Sequence, residues 1–372
     1  MKRLLLPALI LFSGCSIDKT EKEKTSAVIK NHVDEKNIKK VTSSATTLEE
    51  RIQKVESPDT YQYEKTHHIS AIQKLAVDDP NAMFYIAALY EEGDLLPLSP
   101  EKARKLYKKA ADKGHTLSRY YLALMLIDGK GGEENHSEAE RLLLINHEKS
   151  HAPSSYSLAY LYFIHDDYEN AAKLMESDKV EMNENNAYLL AISYLQLNKN
   201  TDEAVTLLHS SASKNHKYSH QTLGKIYRHG IHNTEQDLEK SYFHYTAAAK
   251  DNDPKVLYEI ATLSFKYPFL IDNNYDIPLK QLTLAAKSDY EPATFQLAKL
   301  YDQGYQIKQD YQQAFYWYKK SAESGNNKAM YNLASMYANG DGVEESYEQA
   351  EFWLEESANH GNKRAIELLS QE

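Results

Sequence analysis

AMYNLASMYANGDGVEESYEQAEFWLEESANHGN (residues 329–362) can be laid over ATFQLAKLYDQGYQIKQDYQQAFYWYKKSAESGN (residues 293–326) without a gap, at an offset of 36 residues. In both stretches a Leu-Ala pair (Leu297-Ala298, Leu333-Ala334) precedes a tyrosine (Tyr301, Tyr337), and a glycine follows it by three residues (Gly304, Gly340). Internal similarity at such a period, with apolar residues at helical spacing, marks stacked helix pairs. Carried toward the N-terminus, the same frame places anchors at Tyr90, Leu126, Tyr162, Tyr194, Tyr227 and Ser264. Successive spacings are then 36, 36, 32, 33, 37, 37 and 36 residues.

Four residues before each anchor stand Ile86, Leu122, Leu158, Leu190, Leu223, Ile260, Leu297 and Leu333. Three before stand Ala87, Ala123, Ala159, Ala191, Gly224, Ala261, Ala298 and Ala334. A large aliphatic residue followed by a small one predicts a helix with a packing knob and a point of close helix–helix approach. Gly93, Gly129, Gly230, Gly304 and Gly340 follow their anchors by three residues, where a helix ends in the left-handed conformation. A second amphipathic stretch comes next each time, as in PEKARKLYKKAADKG (100–114) and YQQAFYWYKKSAESG (311–325). Such units cannot bury their faces singly and must stack.

The stretches quoted first resemble Sel1-like repeats, relatives of tetratricopeptide repeats with a longer turn between helices. The resemblance is specific at 80–114 and 291–362 and weaker at 115–150 and 217–290. The units at 151–183 and 184–216 have shorter turns and resemble plain tetratricopeptide units. HHISAIQKLAVDD (67–79) resembles a leading half-unit and KRAIELLSQE (363–372) a terminal one. The expected fold is an all-α, right-handed superhelical solenoid of about eight helix pairs over residues 61–372. The resemblance implies a scaffold that binds proteins through its concave face, with no catalytic residues and no cofactor. Trp317 and Trp353, 36 residues apart, read as core at equivalent second-helix positions, whereas Tyr61/Tyr63, Tyr120/Tyr121 and Tyr242/Tyr245 fall outside the packing period.

The chain opens MKRLLLPALILFSGCS. Lys2 and Arg3, an apolar run from Leu4 to Phe12, and a small-residue end before Cys15 spell a secretory signal too short to span a bilayer. The ending resembles a bacterial lipobox, with residues 1–14 removed and Cys15 lipidated; Phe12 stands where leucine is usual. Cys15 is the single cysteine, so the mature chain has no internal disulfide. Ser16 after the cysteine implies, by the lipoprotein rule, sorting to the outer membrane, facing the periplasm. Residues 15–60 read as a tether, whose polar, Lys/Glu-rich stretch from 16 to about 45 reaches from roughly 30 Å as a coil to about 100 Å extended. A short helix is expected within it at 47–55. The net charge of −11, or −13 once Lys2 and Arg3 leave, repels phosphate backbones and excludes nucleic acid as a partner. A lipoprotein of this design resembles the alginate-secretion scaffold lipoprotein, which implies an outer-membrane β-barrel or envelope complex as partner. Display at the cell surface, against a host or competitor protein, is the alternative.

Several short motifs suggest chemistry. His147-Glu148-Lys149-Ser150-His151 spells H-E-x-x-H, the zinc-hydrolase pattern, which requires both histidines on one helical face. In the repeat frame, however, Ser150 falls where Gly114 and Gly325 end their helices, and His151 begins the next unit, so no metal site is expected. DGKGG (128–132) lacks the spacing of a phosphate loop, and NGDGVEE (339–345) and DNNYD (272–276) lack a full calcium ladder. IHDDYEN (164–170) sits at a helix junction. No nucleophile–base pair emerges, and the cysteine pairs of the secreted, penicillin-binding Sel1-like relatives are missing.

Overall fold

The computed structural model describes residues 47–177 and 182–370. The signal, Cys15 and residues 15–46 of the tether therefore lie outside the described residues. Regular structure within them is helical throughout. The chain divides into two compact units, residues 1–181 and 182–372.

The first unit contains α1 (Leu48–Glu56), α2 (Gln62–Leu75), α3 (Pro80–Glu92), α4 (Pro100–Asp112), α5 (Thr116–Ile127), α6 (His136–Glu148), α7 (Ala152–Ile164) and α8 (Tyr168–Met175). The second contains α9 (Glu184–Leu197), α10 (Thr201–Ser213), α11 (Lys217–His229), α12 (Leu238–Ala248), α13 (Pro254–Lys266), α14 (Asp276–Lys287), α15 (Glu291–Gln303), α16 (Tyr311–Glu323), α17 (Asn327–Asn339), α18 (Tyr347–Asn359) and α19 (Lys363–Leu369). Short 3₁₀ turns follow α12 and α13. From α3 to α18 these are eight pairs, and within each unit every helix packs mainly on its sequence neighbours, as in a solenoid. The short turns expected at 151–216 are present: three residues join α7 to α8, and three join α9 to α10.

The helix expected at 47–55 is α1, closed by a capping box in which Thr47 and Glu50 each bind the other's backbone N–H. It falls inside the stretch assigned to the tether, yet its Ile52 and Val55 are buried against Ile69 and Ile72 of α2. Packing thus begins at Leu48, ahead of residue 61.

The aliphatic position four before the anchor is buried in all eight pairs, from Leu122 at 4% exposure to Leu333 at 0%. The small residue beside it marks the close approach anticipated. A Cβ on Gly224 would stand 2.9 Å from the ring of Tyr245 on α12. Gly93, Gly230, Gly304 and Gly340 end α3, α11, α15 and α17 with φ between 61° and 79°. Asp79, Asn135, Asp167, Asp253, Asp310 and Asn326 start helices by accepting backbone N–H groups on their side chains.

The glycine-rich turns seat one pair on its predecessor. A Cβ on Gly131 would lie 2.3 Å from the Pro100 carbonyl oxygen at the start of α4, and one on Gly342 would lie 2.2 Å from that of Tyr311 at the start of α16. Arg104 closes the first of these turns, donating to the carbonyls of Lys130 (3.3 Å) and Glu133 (2.8 Å). DGKGG is therefore glycine-rich because backbone meets backbone there. DNNYD is likewise a turn, with Asp272 and Asn273 left-handed and Asn274 accepting from the Asp276 N–H (3.1 Å).

Candidate functional site

The first helices of the pairs share a feature beyond the anchor. Six residues before it stand Phe84, Tyr120, Tyr156, Tyr188, Gln221, Tyr258, Phe295 and Tyr331, seven of them aromatic. Eleven before it lies the N-cap of the same helix, and four of those caps are rings: His115, His151, His216 and Tyr290. Each of these rings meets the aromatic of the preceding pair. Centroid separations are 5.2 Å for Phe84–His115, 5.5 Å for Tyr120–His151, 4.8 Å for Tyr188–His216 and 5.5 Å for Tyr258–Tyr290. Ring contacts of this kind contribute about 0.5–1.5 kcal/mol beyond burial. They knit successive first helices together along one face.

In the second unit that face opens into a cleft of about 380 Å³. Three consecutive first helices build it: Tyr258 from α13, Glu291, Phe295 and Gln296 from α15, and Asn326 to Lys328 at the start of α17. Its floor is fixed by hydrogen bonds, with Asn326 Nδ2 (2.6 Å) and Ser321 Oγ (2.8 Å) both donating to Glu291 Oε1. Asn326 is held in turn, its Oδ1 capping α17 by accepting from the N–H groups of Lys328 (2.9 Å) and Ala329 (3.0 Å). Burial raises the phenol pKa of Tyr258 and Tyr290, so both stay protonated around neutrality. Ring walls, a side-chain amide and an ammonium make this a recognition surface, suited to stacking and hydrogen bonding. The one hydroxyl held against its carboxylate, Ser321 on Glu291, is fully buried beneath the lining.

The chemical motifs resolve as structure. His147 lies in the last turn of α6 and His151 is the N-cap of α7, with Ser150 between them at φ 60°. The H-E-x-x-H spelling therefore bridges two helices, and the Nδ1 atoms turn to different serines, His147 to Ser155 Oγ and His151 to Ser154 Oγ, each at 2.8 Å. In IHDDYEN, Asp167 caps α8, and His165 Nε2 lies 2.8 Å from Nδ1 of His136. Among the described residues no group of three or more His, Cys, Asp or Glu side chains is placed to hold a metal ion.

Trp317 is core at 4% exposure and Trp353 packs half-buried on the same cluster. The paired tyrosines need correction. Tyr121 stacks on the buried Tyr107 with ring planes 15° apart, and Tyr245 is 5% exposed against Gly224, so both are packing residues. Only Tyr61 and Tyr63 of the three clusters stand well out, at 70% and 72% exposure. The ring staples and the cleft were missed, although counting six and eleven residues back from the anchor exposes the former.

A family model, the Sel1 repeat, matches residues 80–115, 116–145, 222–253, 292–326 and 327–362. Those five stretches are similar to Sel1 repeats. A second model, anaphase-promoting complex, cyclosome, subunit 3, matches residues 138–211, the region of short turns. Among solved structures, c5321, a protective antigen of uropathogenic Escherichia coli strains with an SLR fold, superposes with a TM-score of 0.70. It is 21% identical, with 86% of this chain and 69% of that one covered, a likeness of fold alone. An uncharacterized protein of Neisseria meningitidis serogroup B is 25% identical over 60% of this chain and 46% of its own length. The chitin synthase regulator SKT5 of Saccharomyces cerevisiae is 25% identical over 68% of this chain and 39% of its own. The chain thus spans less than half the length of these two curated relatives. Most of the cleft's residues come from the matched repeats at 292–326 and 327–362, with Tyr258 and Glu291 supplied by the stretch ahead of them.

Proposed function

We propose that this Sel1-repeat chain is a non-enzymatic scaffold that holds a partner protein on the face of its first helices. The observation that carries the reading is the cleft at Tyr258, Phe295 and Gln296, built jointly by three successive pairs. Only a stacked array creates such a surface, and its rings and amide suit an extended segment of polypeptide. We place the chain in the cell envelope, anchored through a lipid on Cys15 to the outer membrane and facing the periplasm. Its partner would then be an outer-membrane β-barrel or an envelope export complex, such as one moving exopolysaccharide. The support for that placement is the sequence MKRLLLPALILFSGCS.

A photo-cross-linking residue at position 295, in whole cells, tests the reading. A defined partner captured at 295, absent when the cross-linker sits at exposed position 316 on α16, supports the scaffold; equal capture at both sinks it. Cys15→Ala should move the chain from the membrane to the soluble fraction. If it stays membrane-bound, the lipid anchor is wrong. Cleavage of the chain by protease added to intact cells would replace the periplasmic assignment by surface display.

A further inference from the structure

Three of the first helices begin with the same device, His-x-x-Ser: His115 with Ser118, His151 with Ser154, His216 with Ser219. In α5 and α11 the histidine is the cap itself, its Nδ1 accepting the serine N–H at 3.2 Å in both. A protonated imidazole has no lone pair to accept with, and its charge would face the positive end of the helix. Such a cap holds only while the ring is neutral.

One helix combines this cap with a second histidine. A turn after His216, α11 buries His220 at 7% exposure, its Nδ1 lying 2.9 Å from Nδ1 of His244 on α12, itself 6% exposed. His220 occupies the position seven before the anchor, buried in every pair and held by Met83, Ala187, Leu257 and Met330 in four others (Arg119, Ser155 and Thr294 fill the rest). His244 stands seven after its helix cap, where other second helices have Leu106, Leu142, Leu174, Leu207, Trp317 and Trp353. A titratable pair thus replaces apolar packing. His209 of α10 completes the group from its exposed end, with Nε2 2.8 Å from the Tyr227 hydroxyl and its ring 5.6 Å from that of His244.

We propose that α11 is a proton-operated joint, whose packing on α10 and α12 loosens under mild acid while the histidine-free first helices α15 and α17 stay closed. The charged groups that bear on the buried pair are Lys240 of α12 and Lys250 of the turn after it, both cations, along with His209 and the rings of the pair themselves. The Arg228–Glu259 ion pair bears on Tyr245 instead. Glu184 of α9 bears on His216 and partly opposes its burial. Burial, first among the causes, lowers His216 and His244 to about 4, and lowers His220 and His209 in the same direction. Because these pKa values are depressed in the folded chain, the stabilisation is whole above the unfolded value near 6.5. It is lost as pH falls from there toward about 4.

Hydrogen–deuterium exchange of the full chain at pH 7.5 and 5.0, corrected for intrinsic rates, reads this directly. One histidine moved from about 6.5 to about 4 predicts that α11 loses roughly thirtyfold more protection than α15 and α17. His216→Asp, which copies the caps Asp79 and Asp253, combined with His244→Leu should abolish the difference. Equal losses in α11, α15 and α17 would overturn the proposal. Because that variant could fail to fold, histidine NMR titration of the unaltered chain stands beside it: midpoints near 6.5 for His216 and His244 overturn the joint, and midpoints below 5 support it.

Discussion

Gly224 shows how little room a repeat leaves at its point of close approach. Valine there drives into the Tyr245 ring, and Gly224→Val is expected to destabilise by about 2–3 kcal/mol. Gly224→Ala should cost less, since alanine regains about 1 kcal/mol of helix propensity. Urea unfolding of both variants checks the order, which reverses if the ring can step aside. His147 makes the opposite case, a residue whose spelling promises more than its place delivers. His147→Ala should lose about 0.5–1.5 kcal/mol with the Ser155 hydrogen bond and leave the metal content of the purified protein unchanged. One zinc per chain that disappears in this variant would revive the hydrolase reading.

Among the helices, the knob four before the anchor carries the packing. Leu297→Ala, at a fully buried site in α15, should cost about 2–5 kcal/mol by thermal or urea unfolding. A cost below 1 kcal/mol would mean that neighbouring helices collapse onto the gap. These knobs were legible because Ile86, Leu158 and Leu297 recur with the packing period itself. The terminal glycines were legible for the same reason, each ending a helix at a fixed distance past the anchor. The contacts of His220 with His244 and of Asn326 with Glu291 were not, being 24 and 35 residues apart on different helices. They depend on how one helix is rotated against the next, which a periodicity does not fix. The tyrosine doublets misled because a residue out of phase with the anchor can still pack on the helix of the preceding pair, as Tyr121 of α5 does against Tyr107 of α4.

The whole chain inherits a division of labour between its two units. Each has its own apolar clusters, one around Leu122, Leu142 and Leu158, another around Leu282, Leu297 and Leu333. In a stacked array stability is roughly a sum over pairs and their neighbours. Residues 182–372 alone should therefore fold, giving a helical circular-dichroism spectrum and a cooperative melt; a fragment without one would show that this unit needs the first. The ring staples bear on something else, the way such a chain can change length. Each staple is made by two pairs, so excising a pair leaves a good seam only if the newly facing residues match. Loss of residues 115–150 would set Phe84 against His151, repeating the Phe84–His115 contact it removes. Loss of 216–252 would leave Tyr188 facing the side chain of Asp253, with no ring to renew the staple. Duplication and deletion are thus tolerated at some joints and penalised at others, and the array carries in its caps a record of which pairs are interchangeable.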